Sequence, residues 1–317
     1  PPDWSSFTNR NDPNCAPWPV KGALPYEWMV ALCNEVGADM WVTVPHQATD
    51  TYVAHLAHLI RTGVDRATGA QTGPALRQDL RVFVEYSNEV WLDMFRQTAW
   101  VNENLPGANV DERYARRAVQ LFDLFEEEFG VLATQTHDDD GVRTRQRLEA
   151  IDYRAKVDAL AITTYFSHGI ERWAWERWPV KAEPFLDELE RRIDAGPFRP
   201  RDTHEHNHDP YWHYHYAREY GVQVIAYEGN SHIHARRSFP DPATGEERFF
   251  SDLAPEFVEF LHEIEQTPRF VRIYETFLDR HEASGLQSHG PFVLMSGWTK
   301  YGQWGHMEYL GQPLNEA

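Results

Sequence analysis

The stretch Val222-Gln-Val-Ile-Ala-Tyr-Glu-Gly-Asn230 sets the interpretation of the whole sequence. Its apolar run is typical of a strand that is buried on both faces, and the run ends at the carboxylate of Glu228. A second stretch of this kind, Arg81-Val-Phe-Val-Glu-Tyr-Ser-Asn-Glu-Val-Trp91, ends at Glu89. A carboxylate in an apolar strand is costly unless it is paired or has a chemical role. The two glutamates therefore indicate one shared site with paired-carboxylate chemistry.

Strand-like apolar runs alternate with helical patterns along the chain. Six strands are expected, near residues 40, 85, 133, 161, 225 and 294. This order, with near-continuous apolar strands, predicts an α/β fold in which helices cover a parallel sheet. No Gly-rich phosphate loop opens a helix, which disfavours a doubly wound sheet that binds nucleotides.

Polar residues of chemical interest follow the ends of these strands: His46, Asn88, Glu89, Gln135, Tyr165, Glu228 and Trp298. A (β/α)8 TIM barrel carries its active site at this edge of its sheet, and its closed sheet has eight strands. We therefore expect residues 1–317 to form a single catalytic barrel domain. Its first one or two strands should be missing from this chain, with Asp3-Trp4 as the tail of an earlier strand, and its last helix should be cut short.

Local patterns make four more specific predictions. The helix that Pro25 opens should bury a stripe of residues at four-residue spacing: Trp28, Leu32 and Val36. Residues 173–178 are expected to form a Trp-rich loop, and residues 229–251 a second loop. The last strand is expected at residues 291–297.

Composition excludes several classes of protein and of partner. Hydrophobic residues make up 42% of the 317 residues, which is enough for a large core and argues against disorder. The formal charge of −19 argues against nucleic acid or an anionic membrane as partner, because both attract basic patches. No run approaches the roughly 18 apolar residues of a membrane span. No signal peptide is visible, and the start at Pro1 rather than Met indicates a processed or trimmed N-terminus.

Cysteines and histidines leave two alternatives open. Cys33 falls on the apolar side of a helix, which favours a buried thiol, but a Cys15–Cys33 disulfide is also compatible with the sequence. Five histidines crowd one segment: His204, His206, His208, His213 and His215. Their His-x-His spacing suits a metal, to which Asp138, Asp139 and Asp140 could add oxygen ligands. Because no spacing matches a known metal motif, we favour a solvated or sugar-contacting loop and expect no metal or other cofactor.

The Ser87-Asn88-Glu89 strand end, with Glu228 three strands later, resembles clan A of the retaining glycoside hydrolases over roughly residues 3–305. If the six strands are the third to the eighth of the barrel, the resemblance makes Glu89 the acid/base and Glu228 the nucleophile. It also implies that Tyr165 orients Glu228 and that Trp298 is an aromatic platform for a sugar. The arginine that supports the nucleophile in that clan cannot be located in this sequence.

The expected function is therefore retaining hydrolysis of a polysaccharide or oligosaccharide by double displacement. Asn88 should hydrogen-bond the 2-hydroxyl of the sugar, and three further residues should contact the substrate: His46, His232 and Gln135. Glu85 competes with Glu89 as a candidate, but a structural role is favoured. The sequence also resembles barrel proteins of bacterial polysaccharide degraders, and this resemblance implies an extracellular or periplasmic location. The alternatives are a non-catalytic carbohydrate-binding barrel and a metal-dependent enzyme built on the His-rich segment.

Overall fold

The structure is a computed structural model, and most of the chain from residue 25 onwards is described in it. The described residues are 25–90, 92–127, 133–135, 142–151, 157–166, 169–195, 211–235, 238–240, 244, 246–249, 255–293, 296 and 304–305. The chain divides into two compact units. The first is Pro1–His137, Arg143–Ala161 and Tyr220–Val222, and the second is Asp138–Val142, Ile162–Glu219 and Gln223–Ala317.

Parallel strand pairs form the centre of the first unit. Strand β1 (Met40–Val44) pairs in parallel with β2 (Val82–Tyr86), with Met40 opposite Val82 and Val44 opposite Tyr86. Strand β3 (Ala133–Gln135) pairs in parallel with the first residues of β4 (Ala159–Thr163). The helices are α1 (Tyr26–Val36), α2 (Asp50–Thr62), α3 (Arg96–Asn104), α4 (Val110–Glu126) and α5 (Val142–Glu149).

Helix boundaries in the first unit follow from side-chain caps and a glycine. The Thr49 hydroxyl accepts the backbone N–H of Tyr52 at 3.2 Å and begins α2, which ends at Gly63 in the left-handed conformation (φ 71°). The Asn109 side chain caps α4 by accepting the N–H of Glu112 at 2.9 Å. Helix α4 then buries one stripe in the same apolar core as β1 and β2: Tyr114, Ala118, Leu121, Phe122 and Phe125.

The predicted buried face of α1 was wrong. Trp28, Leu32 and Val36 are 62%, 59% and 62% exposed. The helix instead turns a neighbouring stripe to the core: Tyr26, Met29, Val30 and Cys33. Both stripes satisfy helical spacing, and contact with the rest of the core decides between them. Burial raises the pKa of the partly buried Cys33 thiol, and Asp39 raises it further. Cys15 lies outside the described residues, so the disulfide stays an open prediction.

Among the described residues, the second unit has three helices before β5 in the sequence and two after it. Its helices are α6 (Ile170–Trp175), α7 (Ala182–Ala195), α8 (Tyr211–Tyr220), α9 (Pro255–Glu265) and α10 (Pro268–Ser284). Strand β5 (Gln223–Gly229) pairs in parallel with β8 (Leu286–Pro291), with two irregularities in register. Strands β6 (Ser238–Pro240) and β7 (Glu247–Phe249) form a short antiparallel pair.

Two local predictions fail in the second unit, and a third is tested only in part. Helix α6 covers part of the expected Trp-rich loop, and β6 and β7 lie in the expected loop at 229–251. The last described strand is β8 and ends at Pro291, where the predicted strand was to begin; residues 294, 295 and 297 of that prediction lie outside the described residues. The sequence of β8, Leu-Gln-Ser-His-Gly-Pro, is mostly polar, and most of its residues are not buried. It therefore carries no apolar run by which a strand is predicted.

The fold class is mixed α/β with parallel strands, as the order of patterns predicts. Strands are present near five of the six predicted positions, at β1 to β5. The closed (β/α)8 barrel is not seen, because the described strands form two small parallel sheets rather than a closed ring. Within the described residues, no helix is long and apolar enough to cross a membrane.

Helix α10 is held by aromatic packing against the segment after β4 and by one arginine that joins it to α7. The ring of Phe166 packs against Phe270, Tyr274 and Phe277 of α10, with centroid distances of 5.8, 5.5 and 4.9 Å. At the surface of α10, the Arg269 guanidinium donates to three carboxylates of α7. These belong to Asp187 at 2.6 Å, to Glu190 at 2.8 Å, and to Glu183.

Replacement of Arg269 by Met should lower the free energy of unfolding by roughly 0.5–1 kcal/mol, because three largely exposed carboxylates lose a shared cation. Urea unfolding at low salt measures the loss, which should shrink at high salt as the charges are screened. Arg272→Met, an exposed position on the same helix, is the control and should change little. Equal unfolding midpoints for both variants would contradict the proposed tie.

Candidate functional site

The turn after β2 holds Asn88 and Glu89 in an unusual backbone conformation. Ser87 and Glu89 have φ angles of 57° and 46°, in the left-handed region that non-glycine residues seldom adopt. Each such residue costs roughly 1–2 kcal/mol, and such strain concentrates at functional sites. Strand β2 ends at Tyr86, so Glu89 lies in this turn rather than at the strand end itself.

Neighbouring groups hold the turn in place. The N–H of Ser87 donates to the Val44 carbonyl at 2.8 Å, which continues the β1–β2 pairing. The Gln97 side chain of α3 donates to the Asn88 carbonyl at 2.7 Å. Val90 is 1% exposed and anchors the far side of the turn in the core. The Asn88 side chain is exposed and Glu89 is partly exposed, so both side chains reach solvent.

His46 lies at the same edge of the first unit as the Asn88–Glu89 turn. β1 and β2 are parallel, and His46 follows the carboxyl end of β1 as Asn88 follows that of β2. The Tyr86 hydroxyl donates to the His46 carbonyl at 2.9 Å. The His46 ring meets the edge of Trp100, a residue of α3, with a centroid distance of 5.5 Å. Burial lowers the pKa of His46, which favours the neutral ring as a hydrogen-bonding group.

Glu85 occupies a different environment from Glu89. It is 3% exposed, and one carboxylate oxygen accepts the Trp41 indole N–H at 3.0 Å and the Thr43 hydroxyl at 2.9 Å. Both donors lie on β1, and Thr43 is the direct neighbour of Glu85 across the strand pair. These contacts support the predicted structural role for Glu85.

In the second unit, the end of β5 is aligned with the residues that follow β4. The Thr164 N–H donates to the Glu228 carbonyl at 2.9 Å, and the Phe166 N–H donates to the Asn230 carbonyl at 3.1 Å. The His232 N–H in turn donates to the Phe166 carbonyl at 2.8 Å. The predicted residues Tyr165, Glu228 and His232 thus lie on neighbouring, hydrogen-bonded backbone segments.

The rings of Tyr165 and His232 lie on the same side of these segments, and the Glu228 backbone lies next to that of Thr164. Their neighbourhood is rich in rings. We call five residues the ring cluster: Tyr165, His232, His234, Phe292 and Trp304. The His232 ring lies 5.3 Å from Tyr165, 4.8 Å from His234 and 6.1 Å from Trp304 between centroids. Phe292 completes the cluster, at 6.4 Å from Tyr165 and 6.1 Å from Trp304.

Gly229 allows the close pairing at this point. A Cβ atom there would lie 1.9 Å from the Thr164 hydroxyl oxygen and 2.8 Å from the Thr164 carbonyl, so no larger residue fits without displacing the backbone. The Thr164 hydroxyl forms a hydrogen bond of 2.8 Å with His289 Nδ1, and His289 Nε2 forms one of 3.1 Å with the Tyr274 hydroxyl. This polar chain fixes the backbone next to Glu228.

The structure does not describe every predicted site residue. Trp298 lies outside the described residues, and of Gln135 only the backbone, in β3, is described. Sequence analysis missed Trp304, Phe292 and Trp100, whose places depend on tertiary contacts. Glu89 belongs to the first unit and Glu228 to the second.

The His-rich segment is described only at its end. His204, His206 and His208 lie outside the described residues, as do Asp138, Asp139 and Asp140. On α8, His213 is buried, and His215 Nε2 lies 3.7 Å from a carboxylate oxygen of Glu219. Among the residues that the structure describes, no group of three or more His, Cys, Asp or Glu could hold a metal ion.

A partly buried acid lies on the opposite side of the segment that follows β5 from the ring cluster. The Ser231 hydroxyl, two residues after Gly229, donates to a carboxylate oxygen of Glu265 at 2.7 Å. Part of the Glu265 residue reaches solvent, yet desolvation of its carboxyl group is the main cause that raises its pKa to about 8. The negative charge of Glu171 adds to the rise, and the Ser231 hydrogen bond opposes it. Glu265 therefore holds its proton near neutral pH.

This raised pKa gives a prediction about stability. The folded protein binds the Glu265 proton more tightly than the unfolded chain, whose glutamate has the ordinary value of 4.5. The free energy of unfolding should therefore fall as pH rises between these two pKa values, by up to about 1.4 kcal/mol per pH unit. Urea unfolding from about pH 5 to about pH 8 should show this fall in the wild type and a smaller one in Glu265→Gln. Parallel pH curves for the two proteins would contradict the raised pKa.

Comparisons with known proteins give only distant similarities. No protein-family model matches the chain, and no curated protein matches it. Among solved structures, an endo-β-1,4-mannanase from Thermotoga petrophila is 12% identical, with a TM-score of 0.36. The match covers 86% of this chain and spans 55% of the length of that protein. A structure of the hyperthermostable endo-1,4-β-D-mannanase from Thermotoga petrophila RKU-1 is 10% identical over 95% of this chain and 80% of its own, with a TM-score of 0.38. Similarity at this level defines no family.

Proposed function

We propose that the protein is a retaining glycoside hydrolase in which Glu228 is the nucleophile and Glu89 is the acid/base. One observation carries the proposal: Glu228 lies near the end of β5, where its backbone is hydrogen-bonded to Thr164, next to Tyr165 and the ring cluster. Aromatic faces stack on sugar rings, and a carboxylate beside them is placed to attack an anomeric carbon. The substrate is accordingly a carbohydrate.

The backbone around Glu228 supports its role as nucleophile. A nucleophile must be held in one geometry, and the Glu228 carbonyl is fixed by the Thr164 N–H. Thr164 is itself held through its hydroxyl by His289. The hydroxyl of Tyr165, the residue after Thr164, would donate to the Glu228 carboxylate and orient it.

The strained turn supports the role of Glu89. Its left-handed backbone presents a carboxyl group and the exposed Asn88 side chain together at the edge of the sheet. In double displacement the acid protonates the leaving oxygen and then removes a proton from water. The chemistry requires that the two carboxyl groups meet at about 5–5.5 Å, whereas about 6.5–9.5 Å would give inversion.

Further residues complete the proposed site. Asn88 would hydrogen-bond the 2-hydroxyl of the sugar. Other hydroxyl groups of the saccharide would form hydrogen bonds with His46, His232 and Gln135. Trp298 would stack on the sugar ring at the cleavage position. A polysaccharide is too large to enter a cell intact, so an extracellular or periplasmic location belongs to the same proposal.

The ring cluster also suits a second function, binding of carbohydrate without cleavage. If binding is the function, glycans bind but no polysaccharide of plant, algal or microbial origin is hydrolysed. That result would reject the hydrolase proposal. The metal-dependent alternative, built on the His-rich segment, predicts stoichiometric metal in the purified protein and loss of activity in chelator.

A panel of plant, algal and microbial polysaccharides identifies the substrate of the wild type. Glu228→Ala should abolish hydrolysis of that substrate, and azide should restore turnover with inverted product. Glu89→Ala should lower kcat by about 10²–10⁴-fold, and azide should give product of retained configuration. Product analysis by NMR distinguishes the two outcomes. Glu103→Ala and Glu219→Ala, at exposed positions, are the controls and should act as the wild type does. Undiminished turnover by Glu228→Ala would contradict the assignment of Glu228 as the nucleophile.

A further inference from the structure

The segment that follows β5 has two different faces. From Ser231 to Ala235 the residues alternate between buried and partly exposed. Ser231, Ile233 and Ala235 are only 3%, 2% and 1% exposed, and the latter two belong to the apolar core of the second unit. The residues between them, His232 and His234, are partly exposed and belong to the ring cluster. The segment thus behaves as an extended strand with a core face and a ring face.

Ser231 connects the core face to helix α9. Its hydroxyl donates to Glu265, the last residue of α9, and accepts the N–H of Ile233 at 3.2 Å. Leu261 and Ile264 of the same helix are buried in the core that also holds Ile233. Ser231 is therefore tied to a helix that packing already holds rigid.

Other hydrogen bonds fix the residue before Ser231. The Asn230 side chain donates to the carbonyls of Phe292 and Trp304 at 3.0 and 2.9 Å, and accepts the Ser231 N–H at 2.8 Å. A slip of one residue in such a segment would exchange its two faces. It would turn His232 into the core and Ile233 towards the ring cluster. The contacts of Ser231 oppose that slip.

A carboxyl group is a costly choice at this position. Glu265 ends a helix whose inner residues are apolar, and an apolar side chain of similar volume would avoid the cost of desolvation. What a carboxyl group supplies, and an apolar one does not, is an acceptor for the Ser231 hydroxyl. The acceptor is useful where the register of the next residues matters.

We propose that Ser231 and Glu265 are positioning residues for the site at Glu228, because their hydrogen bond holds the register that keeps His232 beside Tyr165. The inference rests on the proposed function, since it assigns both residues to that site. Neither residue touches the sugar. They act through His232, whose ring contacts Tyr165, and Tyr165 follows the residue that is hydrogen-bonded to the Glu228 carbonyl.

The test compares Ser231→Ala, Glu265→Met and Glu265→Gln in the full chain. The first readout is the imidazole NMR signal of His232, assigned by its loss in His232→Gln. The second is kcat and KM on the cleaved polysaccharide. Ser231→Ala and Glu265→Met should shift the His232 signal and lower kcat about tenfold or more, because misplacement of a site residue acts on the chemical step. Glu265→Gln should restore both, since its amide oxygen still accepts the hydroxyl.

Glu263→Met, at an exposed position on the same helix, is the matched control and should change neither readout. An unchanged His232 signal in Ser231→Ala overturns the inference, and that variant decides alone if Glu265→Met does not fold. Glu265→Gln behaving as Glu265→Met also overturns it, because the hydrogen bond is then not the cause. If the signal shifts but no polysaccharide is cleaved by the wild type, the positioning role stands and the proposed hydrolase function fails.

Discussion

The backbone hydrogen bonds between residues 164–166 and residues 228–232 are the interaction on which the site in the second unit depends. They set the register of β5 against the end of β4, and this register decides which side chains share a face. One face carries Tyr165 and His232, whose rings are in contact. The other carries the contact of Thr164 with His289 and the buried side chains of Ile233 and Ala235. Gly229 is the residue that lets the two segments approach.

The first unit shows a different solution to the same problem of holding a carboxylate in place. There the chain leaves β2 through a strained turn, and the strain is maintained because anchors surround it. Val90 is buried, Gln97 binds the Asn88 carbonyl, and Ser87 remains paired with β1. A relaxed turn would need fewer anchors, so the strain indicates that the direction of the Glu89 and Asn88 side chains matters.

Sequence patterns predicted the parts of the fold that apolar periodicity controls. β1, β2, β4 and β5 were predicted because each is a buried apolar run. β8 was missed because it is polar and mostly unburied. The inner face of α1 was assigned to the wrong stripe, because periodicity gives the spacing of a buried face but not the side on which the core lies. These errors arise from tertiary contacts that no local window contains.

The residues of the candidate site were also predictable only in part from the sequence. Glu228 lies near the end of β5, Tyr165 and His232 follow strand ends, and the structure does bring Tyr165 and His232 together. Trp304, Phe292 and Glu265 carry no local signal, since a distant segment supplies each of them. The closed barrel and the pairing of the two carboxylates belong to the proposed function.

The most direct measurement is covalent trapping of the nucleophile. If the proposed function is right, a 2-deoxy-2-fluoro glycoside of the cleaved sugar should inactivate the protein with time, and mass spectrometry of the digested protein should find the glycosyl group on Glu228. Such a group forms only when a carboxylate attacks the anomeric carbon in a retaining reaction. A label on another residue, or hydrolysis that proceeds with inversion and leaves no label, would contradict the account.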